Sequence, residues 1–337
     1  MIKIAVDAMG GDFAPKEQIE GAMRAVREIE DIEITLYGDE EAINVYLKDH
    51  PRIKTVQSEG TIDMGEKDPI RAIRSNRKSS MAMTLTSVRK KENDAAVSSG
   101  ATQALIAGAH ILVGRMKSMK RTAIAPVLPT ASRTKFILLD SGGNLEIKPE
   151  YMVQQAYFAT IYAKEVLGVA DPKVGLINIG TEEGKGRDLD QEAARLFKAN
   201  KHLNFYGNVE PKDILDPPAE IMISDGFTAN IVMKTIEGTA KGMGAMLKEE
   251  LSRGVLGKIG LILSLGNLKR FKKRLSPAEI GGAMIYGLSG VVIKAQGSSE
   301  ADGFFNAIRQ AALVVRQDVI GKVTEIIEAE DNGNEEA

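Results

Sequence analysis

Five short turns in this chain follow β-rich runs and carry residue types able to hold an anion. Asp7-Ala8-Met9-Gly10-Gly11-Asp12 follows the run Ile2–Asp7, and Ser99-Gly100-Ala101-Thr102 follows Ala95–Ser98. Asp140-Ser141-Gly142-Gly143-Asn144 ends Phe136–Asp140, Gly180-Thr181-Glu182-Glu183-Gly184-Lys185-Gly186 ends Val174–Ile179, and Asp225-Gly226-Phe227-Thr228-Ala229-Asn230 ends Ile221–Ser224. Glycine after one strand is ordinary turn chemistry. Five such turns, each with Asp, Ser, Asn or Lys, offer backbone N–H groups and helix starts suited to phosphate. Lys185, between Gly184 and Gly186, is the most informative cation. The Walker spacing and the G-x-G-x-x-G fingerprint are both missing, so the expected phosphate is free or belongs to a small ligand.

Those turns need elements to hold them. Further strands are expected at Ile32–Tyr37, Ile53–Gln57, Thr122–Val127, Leu203–Asn208 and Val291–Lys294, and helices at Glu17–Ile29, Ala101–Val113, Pro149–Val166 and Asp188–Ala199. Apolar strands alternating with helices imply an α/β fold with a mostly parallel sheet covered on both faces, its ligands bound outside the carboxyl ends of the strands. Residues 1–323 read as one α/β domain. Within it Phe227–Leu275 reads as a hairpin of two long helices, broken by glycine near Arg253-Gly254. Residues 324–337 read as an acidic tail that frays at its end.

Composition narrows the chemistry. With 43% hydrophobic and 27% charged residues the chain is an ordinary globular protein, and a formal charge of −2 gives no reason to expect nucleic acid. There is no cysteine, which removes disulfides, thiolate metal sites and a cysteine-bound acyl intermediate together. Of His50, His110 and His202, only His110 lies beside a glycine-rich segment. The opening run Ile2-Lys3-Ile4-Ala5-Val6 lacks the regions of a signal peptide, and no apolar stretch reaches the roughly 18 residues of a spanning helix, so a cytoplasmic protein is expected.

Several segments carry a resemblance. Ile4-Ala5-Val6-Asp7-Ala8-Met9-Gly10-Gly11-Asp12, Phe205-Tyr206-Gly207-Asn208-Val209-Glu210 and Asp225-Gly226-Phe227-Thr228-Ala229-Asn230 with Lys234-Thr235-Ile236-Glu237-Gly238 resemble the fatty acyl-[acyl carrier protein]:phosphate acyltransferase family. Arg71-Ala72-Ile73-Arg74 with Ser79-Ser80-Met81, and Gly297-Ser298-Ser299, fit as well, so the resemblance runs from Met1 to about Val323. It implies a homodimeric three-layer α/β/α sandwich similar to isocitrate dehydrogenases and phosphotransacetylases. It also implies transfer of a long acyl chain from acyl carrier protein to inorganic phosphate, with the acyl-phosphate supplied to the glycerol-3-phosphate acyltransferase of the membrane. The chain departs from the family pattern at Ser99, Ala101, Gln103, Gly143, Ala229 and Gln296. A glutamine at position 296, where the family usually has histidine, means that a histidine base there is not essential to this protein.

Phosphate is already an anionic nucleophile, so such an enzyme has to orient it and stabilise an oxyanion rather than supply a strong base. On that reading Lys185 and the N–H groups around Ser98, Ser99, Gly100 and Thr102 hold phosphate, with Gly184 shaping the loop. Asn230 is the oxyanion donor, Asp225 orients Lys185 or Asn230, and Asp7, Gly10, Gly11, Asp140 and Asn144 shape the cleft. Asp225 is equally placed to cap the helix that follows it, and Asp7 to serve as a turn residue. The reaction needs no metal and no cofactor.

Leu261, Leu265, Leu268, Phe271 and Leu275 recur at helical spacing, with Lys269, Arg270, Lys272, Lys273 and Arg274 beside them. That pattern suits an interfacial helix on anionic lipid, and also a dimer or core helix with a solvated basic end. The first reading makes the protein peripherally membrane-associated. Arg71, Arg74, Arg77 and Lys78 have one-face helical spacing, a stripe that could dock the acidic acyl carrier protein and could equally be an ordinary solvated face. Competing functions are a short-chain phosphate acyltransferase using acyl-CoA, an NAD-dependent dehydrogenase of the related fold, and a non-catalytic membrane or carrier-protein scaffold.

Overall fold

The computed structural model describes residues 1–117, 119–274 and 280–335, without the side chains of 272–274 and 330–335. Its strands are β1 (Ile2–Asp7), β2 (Ile32–Gly38), β3 (Ile53–Gln57), β4 (Ala95–Ser98), β5 (Ala123–Pro129), β6 (Lys135–Leu139), β7 (Lys173–Ile177), β8 (Asn204–Val209), β9 (Ile221–Ile223), β10 (Ala283–Tyr286) and β11 (Val291–Lys294). Its helices are α1 (Lys16–Glu28), α2 (Glu40–Asn44), α3 (Pro69–Ser75), α4 (Ser80–Arg89), α5 (Thr102–Gly108), α6 (Pro149–Glu165), α7 (Asp188–Ala199), α8 (Gly226–Leu251), α9 (Gly254–Arg274), α10 (Ala301–Arg316) and α11 (Val319–Glu335).

The strands form one sheet in the order β3-β2-β1-β4-β11-β10-β5-β6-β9-β7-β8. Most pairings are parallel, as the alternation of strands and helices predicts, but β10 runs antiparallel to β11 and to β5, and β5 antiparallel to β6. β5 joins the two halves: Ala123–Pro126 pair with β10 and Val127–Pro129 with β6. The strands on either side of this junction therefore run in opposite directions, and their register staggers them: Lys294, closing β11, lies level with Pro126 of β5 through Ala283, while the turn after β6 bonds to Ile124.

Strand alternation assigns the two faces. Val6, Val97, Ile293, Met284, Ala125 and Leu139 join one continuous core with α1, α6, α7, α10 and α11. On the second face Ala96, Ile285 and Val292 pack under α3, α4 and α5, while Leu138 and Met222 pack under α8 in a separate core. The helical layer on that face is thus split, and Ala283, between the two parts, is only half-buried.

Four expectations change. β10 follows Gly281-Gly282 and carries no alternation that marks a strand, although it pairs on both sides. The helix expected over Ala101–Val113 is α5 followed by a π-turn, Ala109–Val113. Arg71, Arg74, Arg77 and Lys78 do not share one helix: α3 stops at Ser75, and Lys78 pairs with Glu59 in the turn before α4. The chain past residue 324 continues α11, which buries Ile327 in the main core.

α8 and α9 meet at Ser252-Arg253, where Gly254 takes a φ of +69°. A Cβ added to Gly238, Gly242, Gly244, Gly260 or Gly266 would touch nothing, so most of the pair projects from the body. The apolar face expected to be exposed is turned differently. Leu261 and Leu268 are half-buried with Gly257 and Ser264, at the spacing of one face, and α8 is the neighbour of α9. Leu265 and Phe271 are exposed, but Leu256 and Leu263, at 85% and 81%, are the most open. Lys269 is exposed; the side chains of Lys272, Lys273 and Arg274, and all of Leu275, lie outside the described residues. No helix among the described residues is long and apolar enough to cross a membrane.

Candidate active site

β1, β4 and β11 lie side by side and end at Asp7, Ser98 and Lys294. Their preceding residues belong to the main core, so all three side chains point to the second face. The Ser98 hydroxyl donates to Asp7 Oδ2 at 2.6 Å, and Asp7 Oδ1, buried, has no hydrogen-bond partner among the described residues. Burial pushes the Asp7 carboxyl above its usual range, against the opposing pull of the Ser80 and Ser98 hydroxyls. The turn above is tightly packed. The Gly10 carbonyl accepts from Ser99 Oγ and Gln18 Nε2, both at 2.7 Å. Gly11 has a φ of +103°, and a Cβ there would come within 2.7 Å of Ser99 Oγ.

Lys294 sits in register between Ser98 and Ala283. Its ammonium donates to the carbonyls of Ser99 (3.4 Å) and Ala295. Among the described residues no carboxylate lies within ion-pair distance of it. Burial pulls its pKa down to about 8, even though Asp7 and Asp12 act to raise it. Lys294 was legible in sequence only as the end of a strand. The available signal was a lysine closing the otherwise apolar Val291-Val292-Ile293.

The second set of turns follows β6, β7 and β9. Asn144 Nδ2 donates to the Thr122 carbonyl (2.5 Å) and to Asp140 Oδ2 (2.6 Å). Asp140 is fully buried and also accepts from the N–H groups of Ile124 and Gly143; burial raises its pKa, and these bonds oppose the rise. The Asn144 carbonyl accepts from Gly226 N at 2.8 Å, which fixes the start of α8 against this turn. A Cβ on Gly142, at φ +111°, would lie 3.3 Å from Asn230 Cγ, so the Asn230 side chain faces the same turn.

Asp225 caps α8, its Oδ1 accepting from Phe227 N (3.1 Å) and Thr228 N (2.9 Å). Among the described residues its charged partner is Arg187, which sequence reasoning missed, rather than Lys185. Arg187 also pairs with Asp190 at 2.8 Å. Burial works to raise the Asp225 carboxyl, but bonds from Arg187 and Thr228 outweigh it and hold the pKa below the usual range. Lys185 is exposed on the neighbouring turn and makes no ion pair among the described residues. Its carbonyl is held by Asn178 Nδ2 at 3.0 Å, and Gly184 beside it has a φ of +85°.

The expected residues therefore fall into two groups. Asp7, Gly10, Gly11, Ser98, Ser99 and Gly100 gather around Lys294, with Thr102 exposed at the start of α5. Asp140, Asn144, Asp225 and Asn230 gather at the start of α8, with Gly184 and Lys185 on the next turn. No hydrogen bond or ion pair among the described residues joins the groups. Two departures from the family pattern are visible. Ala101 occupies the N-cap of α5 without a side-chain cap, a bond that an asparagine there would supply. Ala229 fills the core under α8.

Comparison with known proteins follows the same lines. Relatives named phosphate acyltransferase include one from Acholeplasma laidlawii, 51% identical over 98% of this chain and 100% of its own. One from Bacillus licheniformis is 43% identical over 97% and 98%. Among solved structures, a phosphotransacetylase from Streptococcus pyogenes matches with a TM-score of 0.59 at 14% identity, covering 94% of each chain. A branched-chain phosphotransacylase from Enterococcus faecalis matches with the same score and identity over 94% and 99%; both share the fold. The family model described as fatty acid synthesis protein matches residues 2–322. With that match and a relative half identical along its whole length, the chain belongs to the fatty acid synthesis protein family.

Proposed function

We propose that this protein transfers a long-chain fatty acyl group from acyl carrier protein to inorganic phosphate, making acyl-phosphate for phospholipid synthesis. The observation that carries the reading is the meeting of Asn144, Gly142 and Asn230 at the start of α8, in a chain 51% identical to a phosphate acyltransferase. Lys185 binds phosphate from its open turn. The Arg187–Asp225 pair fixes α7 against α8 and so positions Asn230. A phosphate oxygen attacks the thioester carbonyl carbon, and the oxyanion that forms accepts from the Asn230 amide. When the C–S bond breaks, the thiolate takes the proton carried by hydrogen phosphate. The products are acyl-phosphate and free thiol, with no acyl-enzyme stage.

The protein works as a homodimer, and the α8–α9 pair touches anionic membrane from the cytoplasmic side, releasing acyl-phosphate near the membrane glycerol-3-phosphate acyltransferase. The exposed apolar side chains of Val255, Leu256, Ile259, Ile262 and Leu263 support that contact. Incubation with long-chain acyl carrier protein and phosphate should yield acyl-phosphate trapped as the hydroxamate. Formation only from a short-chain acyl-CoA would replace the proposed donor.

A further inference from the structure

The group around Lys294 has no part in the mechanism above, yet it has the marks of a built site. A lysine without a carboxylate partner is expensive to half-bury, and it lowers its own pKa in doing so. Two buried acceptors near it lack donors among the described residues, Asp7 Oδ1 and Gln18 Oε1, the Gln18 amide sharing Ser99 with the lysine. A ligand that satisfies all three must accept from an ammonium and also donate N–H or O–H bonds.

Register says where such a ligand would run. Asp7, Ser98, Lys294 and Ala283 form a cross-strand row on the second face, and Pro126 of β5 continues it. Beyond Lys294 the row crosses the split between the α3–α5 layer and α8, where Ala283 is only half-buried. From β11 to β6, which carries the Asp140–Asn144 turn, is three strand steps, or about 14 Å. The two polar groups thus lie at the two ends of a shallow floor.

We propose that Lys294 binds the phosphodiester of the acyl donor's phosphopantetheine arm, which lies across Ala283 and delivers its thioester to Asn230. The arm's hydroxyl and amide N–H groups supply the donors that Asp7 and Gln18 lack. A phosphodiester accepts from the ammonium, and the arm beyond it is long enough to cross the floor. This rests on the proposed thioester chemistry and adds a second recognition point to it.

The test separates the two. Wild-type enzyme without acyl-phosphate synthesis would remove the function and this inference together. In active enzyme, Lys294→Ala should raise the KM for long-chain acyl carrier protein about tenfold or more, as loss of a charge-assisted bond predicts, and leave the phosphate KM unchanged. Lys294→Arg should restore most of the affinity. Free 4′-phosphopantetheine should compete with the donor on the wild type more strongly than pantetheine, and Lys294→Ala should abolish that difference. The wild-type competition holds as a test even if the variants do not fold. Equal inhibition by the two compounds, an unchanged donor KM in Lys294→Ala, or a rise confined to the phosphate KM would overturn the assignment.

Discussion

Arg187 and Asp225 stand at the N-caps of two different helices, α7 and α8, and are tied to each other by an ion pair. A cation at a helix N-terminus opposes the helix dipole, and Asp190 and Asp225 offset that cost by closing on the guanidinium from two sides. The pair is therefore an electrostatic clasp between the β7 turn and the element that carries Asn230.

The clasp gives a pH dependence of definite sign. The folded pKa of Asp225 lies below its unfolded value, so its stabilisation is present above about pH 4 and is lost as pH falls through the folded pKa. Asp225→Asn should lower the Tm near neutrality, and the gap to the wild type should narrow below about pH 4. Thermal unfolding across that range checks it; a gap constant with pH would mean that Asp225 acts only as a cap.

Asn230→Ala should lower kcat about a hundredfold with little change in the phosphate KM, because an oxyanion donor acts in the transition state. Steady-state kinetics decide. A loss confined to substrate affinity would make Asn230 a binding residue.

Lys185→Ala should raise the phosphate KM roughly tenfold or more and leave the fold intact, since the side chain is exposed and makes no ion pair among the described residues. Unchanged kinetics in both substrates would take Lys185 out of the site.

Leu256→Glu with Leu263→Glu should weaken binding to anionic vesicles and spare acyl transfer in solution, because these residues form the open apolar face of α9. High salt should weaken wild-type binding only in part, by screening the basic end. Wild-type dimer that ignores anionic vesicles would make the helix pair purely structural.

Local signals were legible in the sequence where they were complete in themselves. β1, β3, β4, β11 and α7 have their expected ends, because each is a periodic run closed by polar or glycine residues. The helical break at Arg253-Gly254 was visible for the same reason. What could not be read depended on distant partners. β10 is a strand because β5 and β11 flank it, and Arg187 matters through a carboxylate 38 positions away. The five turns looked like one site because a parallel sheet gathers its strand ends; the antiparallel pairings at β10 and β5, which no local pattern announces, place them on strands that run in opposite directions. Leu261 and Leu268 follow an exposed-looking stripe, but the neighbouring helix decides which side of α9 is covered.

The central claim is the reaction itself, and one measurement tests it most directly. Purified protein is incubated with phosphate and, separately, with palmitoyl-acyl carrier protein and acetyl-CoA, and acyl-phosphate and free thiol are followed together. The account predicts equal amounts of palmitoyl-phosphate and free carrier thiol, formed only when phosphate is present. Thiol release without acyl-phosphate, or product from acetyl-CoA alone, would contradict it.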